Sequence, residues 1–264
     1  MLLAINIGNA DISVGLFELS SVKLCSKFKL SSDPARTVDE YYAIINSIFR
    51  ENQVDSSKIS GAVISSVVPQ MTETIRECAE KFTVDVPLVV GPGVKTGFSI
   101  KIDNPSELGG DIVANAAAVV NMQRTENKKT TAIIADVGTV TTVSAIKNGE
   151  YLGCAISPGI KMSLDALHGS TAQLPNVAYS NPDSAIGKNS KESVLSGVII
   201  GNATMLDGFV FKFARDMRCR SDDIALYITG DYAKYLLPHC RCEFSYVEDL
   251  TLLGLYNIYI NSQK

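Results

Sequence analysis

Two hydrophobic periods alternate along this chain, and the switches between them mark its elements. Leu2 to Ile7 and Ile133 to Val137 are apolar runs that each reach a polar residue and then a glycine, Gly8 or Gly138. Small polar residues follow, and a second alternating stretch begins. So early a return of the alternation predicts a β-hairpin rather than a strand-to-helix turn. Thr37 with Glu40 forms a capping-box pattern ahead of Tyr41, Ile44, Ile45, Ile48 and Phe49 at helical spacing, which predicts a helix from Thr37 to Glu51. Ile59 to Val68 reads as a buried strand, Met71 to Phe82 as an amphipathic helix, and Val86 to Val90 as a short strand.

The second half repeats the rhythm. Helices are predicted from Asp111 to Gln123, after Pro158-Gly159, from Ser190 to Asp216 and from Leu250 to Ile260, with a strand from Ile224 to Thr229. Alternating strands and helices predict an α/β fold. The segment LLAINIGNADISVGLF (Leu2–Phe17) recurs in outline as AIIADVGTVTTVSAIK (Ala132–Lys147), so two similar halves are expected, 1–115 and 116–264.

Composition narrows the function classes. The 264 residues are 46% hydrophobic and 20% charged, which excludes a disordered or collagen-like chain. Lys and Arg number 24 against 28 Asp and Glu, with no basic run, so no nucleic-acid partner is expected. The N-terminus has no basic leader, and no apolar run approaches the ~18 residues of a membrane span. No membrane is therefore expected, and the cytoplasm is the expected location. The six cysteines lack paired C-x-x-C spacing and read as reduced structural thiols; Cys240 and Cys242 beside His239 have no second cluster to complete a metal tetrahedron.

The hairpin glycines carry the candidate chemistry. A turn of glycine and small polar residues lets backbone N–H groups approach a phosphate closely, and two such turns facing each other can hold a nucleotide. The P-loop pattern G-x-x-x-x-G-K-[ST] is absent. Asp136 in DVGT either closes a tight turn or holds a cation that bridges phosphate oxygens. Asp111 follows Gly109 and Gly110 at a helix start, where it serves either as an N-cap or as the base that takes a proton from an attacking hydroxyl. Ser196, Gly197 and Gly201 read as a packing seam, within the chain or between two subunits.

These motifs together resemble the type III pantothenate kinases. The resemblance rests on NIGNADISVG (Asn6–Gly15), KTGFSIKIDNP (Lys95–Pro105), GGDIVANA (Gly109–Ala116) and DVGTVTT (Asp136–Thr142). It continues through GCAISPGI (Gly153–Ile160), TAQLP (Thr171–Pro175), IGKNS (Ile186–Ser190) and TGDYA (Thr229–Ala233). It implies two RNase H-like halves of the actin-like ATPase type, each a mixed sheet with a β-hairpin phosphate loop and flanking helices. The implied activity is ATP-dependent phosphorylation of pantothenate in coenzyme A biosynthesis, by a homodimer using Mg²⁺ and a monovalent cation, K⁺ or NH₄⁺.

Carried over by position, Asn6, Gly8, Asn9, Ala10, Asp11 and Ser13 would hold ATP with Gly138 and Thr139, and Asp136 would bind the monovalent cation. Asp111 would be the catalytic proton acceptor, and Ile102, Gly109, Gly110, Ile112 and Ser190 would line the pantothenate site. Four positions depart from the family pattern: Asn6 stands for Asp, Ala10 for Thr, Ile102 for Tyr and Ile112 for Arg. They open two alternatives, a regulatory paralogue that binds a nucleotide or metabolite, and a kinase of a related non-acidic alcohol.

Overall fold

A computed structural model gives the fold and describes residues 1–125 and 129–263. Their Cα atoms divide into two compact units: Met1–Ser99 with Asp103–Met122 and Asp249–Lys264, and Ile100–Ile102 with Gln123–Glu248.

The first unit is built on a five-stranded sheet of order β3-β2-β1-β4-β5, comprising β1 (Leu2–Ile7), β2 (Asp11–Phe17), β3 (Leu24–Ser31), β4 (Gly61–Ser66) and β5 (Leu88–Val89). The first three strands are antiparallel neighbours, and β1, β4 and β5 run parallel. Helices α1 (Val38–Glu51) and α2 (Pro69–Glu80) supply Tyr41, Ile45, Phe49, Met71 and Ile75, which meet Leu3, Ile5 and Ile7 of β1 in one core. The capping box is present: Thr37 accepts from the Glu40 N–H, and the Glu40 carboxylate accepts from the Thr37 N–H at 2.7 Å.

Opposite residues on paired strands share a face, so Ala4, Gly15, Leu2 and Gly61 lie on the other side of this sheet. Small residues there admit a close helix. The C-terminal helix α8 (Leu250–Ser262) packs on β1, β2 and β4, with Leu252 against Gly15 and Tyr259 against Gly61. Gly254 of α8 abuts the backbone of Ala114 in α3 (Gly110–Thr125). The sequence expectation put a boundary at residue 115 and left the C-terminal helix with the second half. In the structure the first unit keeps α3 through Met122 and takes α8, because α8 buries its apolar residues on β1 and β4.

The second unit repeats the plan. Its sheet has the order β11-β10-β7-β8-β9-β6, from β6 (Ser99–Ile100), β7 (Thr131–Val137), β8 (Val140–Lys147), β9 (Glu150–Pro158), β10 (Ile224–Thr229) and β11 (Ser245–Tyr246). Strands β7, β8 and β9 are antiparallel, while β7, β10 and β11 are parallel. Helix α4 (Ile160–Gly169), α5 (Ser190–Leu195), α6 (Gly201–Asp216) and the short α7 (Ala233–Leu236) complete the unit. A π-helical segment, Ser196–Ile200, joins α5 to α6, so 190–216 is one continuous helix as its periodicity predicts. Val194, Leu195, Val198, Ile199, Leu206 and Val210 of that helix are buried against Ile133, Ala135 and Val137 of β7.

Two expectations change here. Among the described residues this one helix is long and apolar enough to cross a membrane, although uninterrupted apolar runs are short. Half of its apolar window is buried in the unit's own core, which is the pattern of a core helix. Gly197 and Gly201 form no seam within the unit, since nothing lies within 4 Å of where their Cβ atoms would stand.

Candidate functional site

In the first unit the site grows from Asn6 near the end of β1. Asn6 lies opposite Ser13 on β2 and opposite Ser65 on β4, and Ser13 lies opposite Lys29 on β3. These four side chains form one row across one face of the sheet. The Ser65 hydroxyl, wholly buried, donates to Oδ1 of Asn6 at 2.7 Å. Lys29 Nζ pairs with Asp11 Oδ2 at 3.0 Å, both side chains being partly exposed. The turn beyond is tied at both ends. Gly8 N–H donates to Asp11 O at 2.9 Å, the Ser32 hydroxyl donates to Gly8 O at 2.5 Å, and Ser32 N–H donates to Ala10 O at 3.1 Å. Asn9 and Ala10 are left exposed at its tip.

Asp111 enters the same unit on the first turn of α3. A Cβ on Gly110 would stand 3.0 Å from Ser65 Cβ and 3.4 Å from Ser66 N, so only glycine lets this helix start on the end of β4. Ser65 thus touches Asn6 through its hydroxyl and Gly110 through its Cβ. Both roles stay open to Asp111: the first regular helical bond runs from Val113 N–H to Gly109 O at 3.1 Å, and the Asp111 side chain meets a free amide of the first turn. The Asp111 carboxylate accepts from Ile112 N–H at 2.8 Å. Burial pushes its pKa up from the ordinary 3.8, against the opposing pull of that N–H. Ile112 is buried, at 9% exposure.

The second unit holds the remaining candidates. Asp136 lies opposite Thr142 on β8 and Thr229 on β10, two buried hydroxyl residues. Gly138 N–H donates to Val140 O at 3.1 Å, and Gly159 N–H donates to Thr139 O at 3.2 Å. Gly159 is held so close that a Cβ would come within 2.5 Å of Thr139 O. Gly230, at φ +97°, lies against Val137, where a Cβ would meet the carbonyl oxygen at 2.5 Å, and Tyr232 N–H donates to that oxygen at 3.1 Å. The TGDY turn therefore wraps the outgoing end of β7. Ser190 opens α5 behind its cap Asn189, whose Oδ1 accepts from Glu192 N–H at 2.9 Å. Ile102 belongs to this unit through the stretch where Lys101 N–H donates to Tyr151 O at 2.8 Å.

The expected residues thus fall into two groups. Asn6 to Ser13 and Gly109 to Ile112 share the first unit, whereas Ile102, Asp136, Gly138, Thr139 and Ser190 belong to the second. Sequence reasoning did not single out Lys29, Ser32, Ser65 or the Gly159 approach. A serine ending a buried strand was the only available signal for Ser65, and it names no partner. Among the described residues no group of three or more His, Cys, Asp or Glu side chains could hold a metal ion, Cys240, Cys242 and His239 included.

The comparisons with known proteins act on this geometry. The family model described as type III pantothenate kinase matches residues 2–212. The chain belongs to the type III pantothenate kinase family. A type III pantothenate kinase of Geotalea daltonii is 36% identical over 265 residues, with 100% of each chain covered, so the likeness continues beyond residue 212 through α8. Among solved structures, a chain from Campylobacter jejuni described as a candidate Baf family transcriptional activator superposes with a TM-score of 0.58. It is 17% identical, with 98% of this chain and 97% of that one covered. A candidate 2-dehydro-3-deoxygalactonokinase from Sinorhizobium meliloti gives 0.56 at 8% identity, covering 100% and 98%. Such distant likenesses establish the fold, the sugar-kinase and actin-like ATPase arrangement of two mixed sheets with flanking helices. The chain is accordingly a kinase, and each of its two units carries a glycine-bearing β-hairpin in its sheet.

Proposed function

We propose that this type III pantothenate kinase transfers the γ-phosphoryl group of ATP to the primary hydroxyl of pantothenate, giving 4'-phosphopantothenate, the first step of coenzyme A biosynthesis. The observation that carries the reading is the placement of Asp111: a partly buried carboxylate on the first turn of α3, seated by Gly110 on Ser65, which holds Asn6 at the root of the hairpin. In the reaction the acceptor oxygen forms a bond to the γ-phosphorus, the bond to the β,γ-bridging oxygen breaks, and ADP leaves. The hydroxyl proton passes to the Asp111 carboxylate. The raised pKa of Asp111 suits a base more than that of an exposed aspartate would.

The exposed turn residues Asn9 and Ala10, with Gly8, Asp11 and Ser13 beside them, would receive phosphate oxygens in the first unit, and Gly138 and Thr139 are the nucleotide contacts proposed for the second. Asp136 with the hydroxyls of Thr142 and Thr229 is an all-oxygen donor set, which suits a hard monovalent cation, K⁺ or NH₄⁺, that would neutralise charge on the nucleotide. Asp11, the acidic side chain on the hairpin's face, is paired with Lys29 and fits a protein-held Mg²⁺ poorly, and Asp111 is the one other carboxylate among the expected site residues of this unit, so Mg²⁺ is assigned to the nucleotide substrate. Ile102, Gly109, Gly110, Ile112 and Ser190 would line the acceptor site of a cytoplasmic homodimer.

Ile112 favours a second reading of the acceptor alone. A buried apolar side chain beside Asp111 offers no countercharge to a carboxylate, so a related non-acidic alcohol such as pantetheine is the competing substrate. Mass spectrometry of products formed from ATP with Mg²⁺ and K⁺ or NH₄⁺, offering pantothenate and pantetheine together, decides between them. Phosphopantothenate that disappears in Asp111→Asn supports the main reading, and phosphopantetheine alone supports the second. Bound ATP with no product from either acceptor leaves the regulatory paralogue.

A further inference from the structure

We infer that this chain anchors the phosphates of its nucleotide through hydrogen-bond donors and not through a protein-held divalent metal, with Ser65 as the positioning residue that turns the Asn6 amide to present its NH₂ group. The inference rests on the proposed use of ATP. It starts from the row Ser65, Asn6, Ser13 and Lys29, whose side chains are all neutral or cationic. Asp11, on the same face of β2, is neutralised by Lys29 at 3.0 Å.

The decisive contact is the 2.7 Å bond from Ser65 to Oδ1 of Asn6. An amide has one acceptor oxygen and one NH₂ group, and the two point apart. With Oδ1 turned to a buried hydroxyl, the NH₂ group is the one turned away from Ser65 and toward a ligand. A donor beside a polyphosphate stabilises its charge directly, whereas a carboxylate there would repel it unless a cation lay between them. Ser65 has little freedom to release the amide, because Gly110 closes on its Cβ. The row therefore has the chemistry of an anion site that is complete without Mg²⁺.

Calorimetric titration of the full chain with ADP, in Mg²⁺ and in EDTA, tests this with wild type, Asn6→Asp and Ser65→Ala. For the wild type, Kd changes less than about threefold on removing the metal, whereas Asn6→Asp weakens at least about tenfold in EDTA and recovers in Mg²⁺, as a charge reversal beside phosphate requires. Ser65→Ala weakens binding in EDTA about fivefold when Asn6 is present and less than about twofold in an Asn6→Ala background, since there is then no amide to orient. A wild type as metal-dependent as Asn6→Asp overturns the inference while keeping the kinase reading. Equal losses from Ser65→Ala in both backgrounds make Ser65 merely structural and also overturn it. A wild type that binds no nucleotide in Mg²⁺ overturns the kinase reading itself.

Discussion

Asn6 and Asp136 occupy the same position in their respective sheets. Each lies near the end of the central strand of an antiparallel hairpin, with a hydroxyl residue opposite on the hairpin partner, Ser13 or Thr142, and another opposite on the parallel neighbour, Ser65 or Thr229. The duplication thus keeps the hydroxyl pair and changes the group between them. An amide stands in one unit and a carboxylate in the other, so the two hairpins differ in charge at the same place.

The carboxylate member is the one expected to hold the monovalent cation. Asp136→Asn should remove most of the activation of phosphopantothenate formation by K⁺ or NH₄⁺, lowering the rate in saturating K⁺ about 10- to 100-fold through lost charge interaction. Initial rates with K⁺ replaced by tetramethylammonium check this; an unchanged K⁺ response would remove the cation from Asp136.

Asp111 ties stability to pH in a definite direction. Its pKa is raised by burial, so the native fold favours the neutral acid: its contribution to stability is fully present below the unfolded-chain value of 3.8 and is lost as pH rises through the native value. Asp111→Asn should therefore melt higher than wild type at pH 7.5, with the gap closing as the pH falls toward 4. The same variant should lose about 10²- to 10⁴-fold in rate. Thermal melts at both pH values and the rate assay read the two effects separately.

The approach of α8 to α3 admits no side chain at Gly254, whose Cβ would run into the backbone of Ala114. Gly254→Ala should cost about 3 kcal/mol, because backbone must move where a flexible side chain could not yield. Urea denaturation measures it. A loss below about 0.5 kcal/mol would mean that the helices part easily.

Asp207 is buried at 7% exposure and caps a turn by accepting from Arg241 N–H at 2.8 Å and Cys242 N–H at 3.0 Å. Asp207→Ala leaves both amides without their acceptor and should cost about 2 to 4 kcal/mol. Asp207→Asn, which keeps one oxygen acceptor, should lose about half of that by the same reasoning. Equal losses from the two variants would show that the full carboxylate, which neither variant keeps, sets the cost rather than a single oxygen acceptor.

Some of this was written locally along the chain. The capping box at Thr37 and Glu40, the hairpins at Gly8 and Gly138 and the long helix from Ser190 each depend on residues a few positions apart, and such patterns survive in one dimension, as does the repetition of the first hairpin's pattern in the second. Family membership was legible too, through motifs in a fixed order. Strands β3 and β9 were not, although β3 places Lys29 and Ser32 against the hairpin. Only about every second residue of each is even partly buried, and it is pairing with β2 and β8 that makes them strands.

The tertiary structure alone decided which distant residues touch. Ser65 reaches Asn6 across 59 positions of sequence, Thr251 of α8 bonds Asn115 of α3 at 2.8 Å, and α8 returns to the first unit although the chain has long since left it. Sequence by itself determined the elements, the duplication and the identity of the groups that could do chemistry. Register across the sheet determined their company, because one-residue shifts in strand pairing send a side chain to the opposite face, and no local pattern carries that information.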